Sequence, residues 1–429
     1  MQPKELDLFT IPHTQTAVEE IFYQDCRSIS QVSGQSPIEF HLSGQNGMEY
    51  LDLSRSRLYV RCKIKGGDGS NLIADEKVGP TNLFLQGLWS QIDVTLQGKL
   101  ITSTNNHYPY KAMIQALLNY GDDCKQTQMT SQLFSKDSPG SMDAANPNGA
   151  NSGFYERSTY TNQSKSVDME GTLFQDLFKI KRYILNQVDV GIRLYRSSPN
   201  FCLMSEEVNA NYEVVIEDII LRACKVRLNP AIIYGHAEAL QKMNAKYPYD
   251  KSEIKVMSVP QGQLSVSWDN IFQGSKPNKI ILGLVSTVAM AGSYTLNPYN
   301  FKNYDLRQIT LLCDGVPVGG GPLKLNYSKS QGETVIPAYI SLFQVSGQWM
   351  QNVGNGIDRD EMGSGYALYG FDLQPTFQRE DYLNLVKQGV IRLELQFGTP
   401  LPEGASIIIY SERSGYFEID HSRNIITEG

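Results

Sequence analysis

The residues with the strongest claim to chemistry are the paired carboxylates of YGDD at Tyr120–Asp123. Two adjacent Asp at a hairpin tip hold Mg²⁺ in nucleotide-polymerising sites, because hard oxygen ligands suit that ion. Such a tip needs apolar strands on both sides. Here a helix-like stretch precedes the pair, the polar CKQTQ follows it, and no second acidic strand motif accompanies it. The expectation is therefore a helix stop at Gly121 followed by a solvated loop. GNGIDRDE at Gly354–Glu361 gathers Asp358, Asp360 and Glu361. It lacks the D-x-D-x-D-G spacing of a Ca²⁺ loop and reads as a surface loop, though it is the first place to seek a cation held between subunits.

The other reactive types are scattered. His13, His41, His107, His236 and His421 form no HExxH, and none stands at zinc spacing from a Cys. GGG at Gly319–Gly321 is not followed by the GK[ST] of a phosphate loop, and no GxSxG nucleophile elbow occurs. Cys26, Cys62, Cys124, Cys202, Cys224 and Cys313 make no CxxC pair; Cys62 and Cys224 lie inside strand-like runs and read as small buried hydrophobes. No catalytic residue, metal ligand or cofactor is expected, and the chain is not expected to be an enzyme.

Composition narrows the class further. At ~150 residues per domain, 429 residues suggest two to three domains. Charged residues are 19%, below the usual ~25%, and polar types with 24 Tyr make up the difference, a mix suited to many short strands joined by polar loops. The net charge is −7, and the densest basic cluster is KIKR at Lys179–Arg182, the polar edge of a strand. Direct nucleic-acid binding is not expected. MQPKELDLFT has no apolar signal core, and the 13-residue run IILGLVSTVAMAG at Ile280–Gly292 is shorter than the ~18 a membrane helix needs. It reads as a buried strand entering a turn. Synthesis in the cytoplasm, where thiols stay reduced, is the corresponding expectation.

The elements follow from period. Residues 1–34 have no clear period, apart from TQTAVEEIFY at Thr14–Tyr23, and are expected to form an N-terminal arm that packs on something else, such as a neighbouring subunit. From Pro37 the period is two: PIEFHLSG, RLYVRCKI at Arg57–Ile64, and QIDVTLQGKL with a Gln-Gly turn at Gln97–Gly98. YPYKAMIQALLNYG switches to helical spacing through Tyr110, Ile114, Leu117 and Leu118. Residues 121–172 are nearly free of aliphatic side chains and are expected to be a long exposed loop, a turret on an outer face. NPAIIYGHAEALQKMNAKY at 229–247 carries Asn229 as N-cap, Pro230 at the first helical position and an apolar stripe of Ile233, Ala237 and Leu240; it reads as a connector helix. Trp89, Phe84, Tyr108, Tyr110, Phe301, Tyr304, Phe343 and Phe371 flank strand or helix pieces and read chiefly as core.

The second half replays the first. QITLLCDGVP at Gln308–Pro317 repeats QIDVTLQGKL with an Asp-Gly turn. IPAYISLF stands where YPYKAMIQAL stood, a polar Gly-rich stretch follows at Ser346–Gly365, and IRLE at Ile391–Glu394 matches IRLY at Ile192–Tyr195. About eight strands per half suggest an all-β chain of two tandem jelly-roll sandwiches, at 35–228 and 248–429. Such a tandem suits tiling: three copies around a threefold axis present six similar walls, a pseudo-hexagonal trimer.

Longer stretches carry a resemblance. DLFTIPHTQTAVEE, GMEYLDLSRSRLYV, VGPTNLFLQGLWSQIDVTL and YPYKAMIQALLNYG resemble the hexon-like major capsid proteins of Polinton/Maverick elements and adintoviruses. So do NPYNFKNYDLRQITLLCDGVPV, AYISLFQVSG, GNGIDRDE, GYALYGFDLQPT, KQGVIRLELQFGTPLPE and FEIDHSRNI, all in chain order. The resemblance implies a double jelly roll, a homotrimeric capsomer and the icosahedral capsid of a double-stranded DNA virus or virus-like transposon. The implied partners are neighbouring capsomers and penton or minor capsid proteins, and the implied location is the virion. A carbohydrate-binding β-sandwich and a vertex (penton) protein are the alternative readings.

Overall fold

The computed structural model describes residues 14–32, 37–44, 47–272, 274–374 and 387–427. Strands in the first half are β1 (Val18–Arg27), β2 (Ile38–Leu42), β3 (Glu49–Gly66), β4 (Val78–Pro80), β5 (Trp89–Leu96), β6 (Lys99–Thr102), β7 (Val167–Gly171), β8 (Val190–Arg196), β9 (Leu203–Ser205) and β10 (Tyr212–Leu228). In the second half they are β11 (Ala245–Val259), β12 (Ser265–Trp268), β13 (Lys279–Ser286), β14 (Leu306–Cys313), β15 (Val316–Pro317), β16 (Leu323–Lys324), β17 (Leu368–Asp372), β18 (Ile391–Phe397), β19 (Ala405–Ile419) and β20 (Ile425–Thr427). The helices are short: α1 (Phe84–Gly87), α2 (Tyr108–Asn119), α3 (Asp122–Gln126), α4 (Ser152–Thr159), α5 (Pro199–Cys202), α6 (Pro230–Leu240), α7 (Thr287–Ala291) and α8 (Ile336–Ser346). No described helix is long and apolar enough to cross a membrane.

Among the described residues each half builds the same pair of sheets. The first half gives β1-β10-β3-β7 and β2-β8-β5-β6; the second gives β11-β19-β13-β17 and β12-β18-β14-β15. Counting only these eight strands per half, both halves place first, eighth, third and sixth in one sheet and second, seventh, fourth and fifth in the other. That antiparallel order is a jelly roll, so the chain is two jelly rolls in tandem. β16 and β20 add to the second roll's sheets, and β4 pairs with β9 apart from them.

The repeated hairpins explain the repeated sequence. Gln97 and Gly98 have φ 49 and 74, and Asp314 and Gly315 have φ 51 and 79. Two consecutive positive φ values make a type I′ turn, whose twist matches that of the flanking strands. After each hairpin comes the corresponding helix, α2 or α8. The expected alternation fills the cores: Leu58, Val60, Cys62 and Ile64 of β3 are buried, while Arg57, Tyr59, Arg61 and Lys63 are not. Cys224 is also buried, and all six cysteines are free.

Several expectations change. Within the expected arm, residues 1–13 and 33–34 lie outside the described residues, but Val18–Arg27 is no separate arm. It is edge strand β1 of the first roll, paired with β10 from Val18↔Leu228 to Arg27↔Ile220. Most of its side chains are exposed, so it shows no apolar alternation to read. The connector helix is α6 and ends at Leu240; Ala245–Tyr247 already belong to β11. Of its expected stripe only Leu240 is buried, because the helix lies on the surface and packs through its ends. IILGLVSTVAMAG is buried through β13, then enters the one-turn helix α7. Of the eight named aromatics seven are buried; Phe343 is half-buried on α8.

Gly315→Ala tests the duplicated turn. Open space surrounds a Cβ there, so the substitution adds backbone strain alone. A loss of about 1–2 kcal/mol is expected, read as a lower urea midpoint at constant slope; an unchanged midpoint would contradict the turn geometry.

Candidate functional site

The structure disperses most of the residues that suggested chemistry. Asp122 and Asp123 are exposed in the first turn of α3. Gly121 has φ −71, so it is no left-handed helix stop; Tyr120 is extended and a second helix starts at once. Asp358, Asp360 and Glu361 do share a loop, but they serve it internally. The Asp358 carboxylate accepts the Asp360 and Glu361 N–H groups, while Asp360 pairs with Lys329 at 2.9 Å and Glu361 with Lys136 at 2.5 Å. His236 is exposed on α6 and its Nδ1 lies 2.9 Å from the Tyr50 hydroxyl; His13 is outside the described residues. Gly319 and Gly320 close an exposed turn. Among the described residues no three His, Cys, Asp or Glu side chains come together as a metal site.

What the chain does build is a junction between its rolls, and residues 121–172 make it. Expected as an exposed loop, this segment instead folds into α3, α4, two 3-10 turns and β7, and it buries Met129, Leu133, Phe134, Met142 and Phe154. Its most deeply buried ion pair is fully partnered. The Asp137 carboxylate accepts from Arg157 Nη2 at 2.7 Å, Asn151 Nδ2 at 2.9 Å and Asn297 Nδ2 at 3.0 Å, and both members of the ion pair are about 1% exposed. Arg157 Nε also donates to the Pro80 carbonyl at 3.1 Å. Asn297 belongs to the second roll, so the Asp137 carboxylate ties the excursion to that roll, and Arg157 adds the link to Pro80. Asn151 additionally caps α4 by accepting from Phe154 N–H.

The two polar excursions also lock to each other. Gly140 N–H donates to Ser364 O at 2.7 Å, and the Tyr366 hydroxyl donates to Asp137 O at 2.8 Å. Gly356, at φ 67, sits so close that a Cβ would stand 2.7 Å from the Asp122 carboxylate. Only glycine fits both constraints. The sequence signal missed here was the set of isolated Met and Phe residues among turn formers, which has no period.

Helix α2 is the second component. Every residue from Tyr108 to Leu118 is buried, including Lys111 and Gln115. Lys111 Nζ lies 2.7 Å from Asp176, whose carboxylate also accepts from the backbone N–H and hydroxyl of Ser252 in β11. Gln115 Nε2 donates to the Tyr410 hydroxyl of β19 at 2.8 Å. Tyr410 in turn donates to Glu412, which pairs with Lys279 at 2.7 Å. Burial alone would raise the Glu412 pKa, but the Lys279 and Lys179 ammonium groups outweigh it and hold the pKa at about 2. Lys125 has the opposite balance. It is 3% exposed and donates to the Leu117 and Asn355 carbonyls. Burial, with Lys136 adding to it, lowers its pKa to about 7.

The junction makes equivalent sheets unequal. In the second roll, β11-β19-β13-β17 is covered on both sides, with Ile407 and Ile409 in its own core and Ile408 and Tyr410 against the first roll. In the first roll, the outer face of β1-β10-β3-β7 is left open among the described residues. Charges of both signs alternate across it: Arg57–Glu170 at 3.2 Å, Lys63–Glu217 at 2.8 Å, Lys225–Glu49 at 2.9 Å and Arg27–Asp218 at 3.0 Å. Arg57 lies 4.6 Å over the Tyr23 ring and Arg222 5.1 Å over Tyr59. Exposed pairs contribute only ~0–1 kcal/mol each to stability. Their effect is to keep a broad face and its edge strand polar and self-neutralised.

Comparison with known proteins places this architecture. No family model matches the chain. A Caenorhabditis elegans protein, called uncharacterized protein F54H12.2, is 24% identical over 432 residues, covering 97% of this chain and 99% of that protein. Among solved structures, a chain of the Sputnik virophage aligns with TM-score 0.63 at 12% identity, over 100% of this chain and 92% of that one. The Faustovirus major capsid protein aligns with TM-score 0.60 at 9% identity, over 95% of this chain and 92% of that one. The mavirus major capsid protein aligns with TM-score 0.50 at 12% identity, over 100% and 95%. At these identities the likeness carries the fold, the whole double jelly roll.

Two outcomes follow for the junction. Asp137→Ala leaves Arg157 charged, buried and without its carboxylate, a loss of about 3–5 kcal/mol in chemical denaturation; a loss below about 1 kcal/mol would remove the hub from its central role. Lys125 has a folded pKa of about 7 against the ordinary 10.5, so between these values the unfolded chain holds a proton that the folded chain lacks. Its contribution to stability therefore improves as pH rises through that window. Lys125→Met, measured against the parent protein, is expected to show its largest relative gain near pH 7 and a shrinking one toward pH 10; a pH-independent difference would contradict the assignment.

Proposed function

We propose that this chain is the major capsid protein of a double-stranded DNA virus or a virus-like transposon, of the Polinton/Maverick or adintovirus kind. It works by self-assembly into homotrimers that tile an icosahedral shell, not by catalysis. The observation that carries the reading is the repeated strand order. One chain presents two rolls of the same topology, locked by a buried junction, so three chains present six comparable walls around a threefold axis. The full-length likeness to the Faustovirus and mavirus major capsid proteins supports it. α6 divides the rolls, and the open, charge-paired face of β1-β10-β3-β7 is the contact surface offered to neighbouring chains or capsomers. Contacts of this polar kind are individually weak, which lets a growing shell release misplaced units. A vertex protein of the same shell needs one roll; the tandem favours the hexagonal unit. Location in the virion and contacts with penton or minor capsid proteins belong to the same reading.

Purified protein is expected to elute as a trimer of the 48.1 kDa chain and to show hexagonal outlines by negative stain. A monomer at high concentration, or binding to a glycan array without oligomers, would count against the capsid reading and for the sandwich that binds carbohydrate.

A further inference from the structure

A second polar feature lies in the second roll, away from the junction. β11 and β19 pair with Lys251 opposite Arg413 and Glu253 opposite Ser411. Along β19 this side of the sheet is the one that carries Ile407 and Ile409 into the second core, and along β11 it carries Met257 and Val259. Lys251, Glu253, Lys255 and Arg413 therefore continue the core-facing side past the end of the apolar core. There they line a cavity of about 260 Å³, closed by Phe272 and Ser275.

The charges in this cavity do not balance. Lys255 is 3.6 Å from Glu253 and 5.1 Å over the Phe272 ring. Arg413 Nη1 donates to the Ser275 hydroxyl at 2.5 Å. Among the described residues no carboxylate stands within ion-pair distance of the Lys251 ammonium. Like charges directly opposite on neighbouring strands are destabilising, and partial burial strengthens the repulsion. Burial, with Arg413 adding to it, lowers the Lys251 pKa, and the nearby Glu253 and Asp176 carboxylates only partly offset them. Among the described lining residues three cations stand against one carboxylate, which leaves room for a dianion. The guanidinium keeps further N–H donors whose fork geometry matches two oxygens of a tetrahedral oxyanion.

We infer that this cavity is an oxyanion site, in which a phosphate-class dianion is shared between the Lys251 ammonium and the Arg413 guanidinium, with Lys255 at its rim. The site is independent of the capsid reading and holds for a monomer or a trimer alike.

The test titrates inorganic phosphate into the full chain at constant ionic strength, followed by calorimetry and ³¹P line broadening, with chloride as the control anion. Saturable binding of one phosphate per chain is expected, weakened about tenfold or more by Lys251→Gln and by Arg413→Gln, and unchanged by Lys242→Gln on the surface. Without phosphate, Lys251→Gln is expected to melt no lower than the parent protein, because it relieves the opposed charges; with phosphate, the parent melts higher and the variant does not. Absence of saturable binding to the parent overturns the proposal. So does binding that both variants retain, or a Lys251→Gln variant that melts lower by the same amount with and without phosphate.

Discussion

The arrangement depends on one constraint: charges taken out of water at the junction must meet all their partners at once. A buried carboxylate or guanidinium without its counter-charge costs several kcal/mol. Asp137 meets that demand with Arg157, Asn151 and Asn297, and Arg157 adds the Pro80 carbonyl. These groups come from β4, the long excursion of the first half and the second roll. Sliding one roll by a single strand residue, about 3.3 Å, would break the set. The polar hub therefore specifies the relative position of the rolls in a way that apolar packing, being non-directional, does not.

Helix α2 supplies the apolar part of the same junction. It lies between the rolls, buried from Tyr108 to Leu118; Gln115 reaches across to Tyr410, and Lys111 holds Asp176, which meets Ser252 of the second roll. Its placement is why two sheets with one topology have different surfaces. β19 is covered on both faces and its sequence SIIIYSE is almost continuously apolar at its start, as strands covered on both sides are. β3 is covered on one face and alternates through RLYVRCKI. The duplication is thus exact in connectivity and broken in burial.

Much of this was legible along the chain. The Gln97–Gly98 and Asp314–Gly315 turns, the alternation of β2, β3 and β5, the matching positions of α2 and α8, and the Asn229 cap with Pro230 all rest on local rules of backbone and period. Edge strand β1 was not legible because neither of its faces is substantially buried, so no period marks it. The overlong connector helix came from continuing an apolar stripe past Leu240 into residues that pair with β19 instead.

The excursion at 121–172 marks the boundary between the two kinds of information. Its composition, poor in aliphatics and rich in turn formers, is shared by solvated loops and by segments that bury matched polar groups. Strand positions along the chain, turn type and the twofold repetition follow from neighbours a few residues apart and could be read from amino-acid order. Whether Asp137, Asn151 and Arg157 face water or one another depends on Asn297, 160 residues beyond Asp137. That pairing leaves no periodic trace, because hydrogen-bond satisfaction is a property of positions in space, and the folded chain alone brings those positions together.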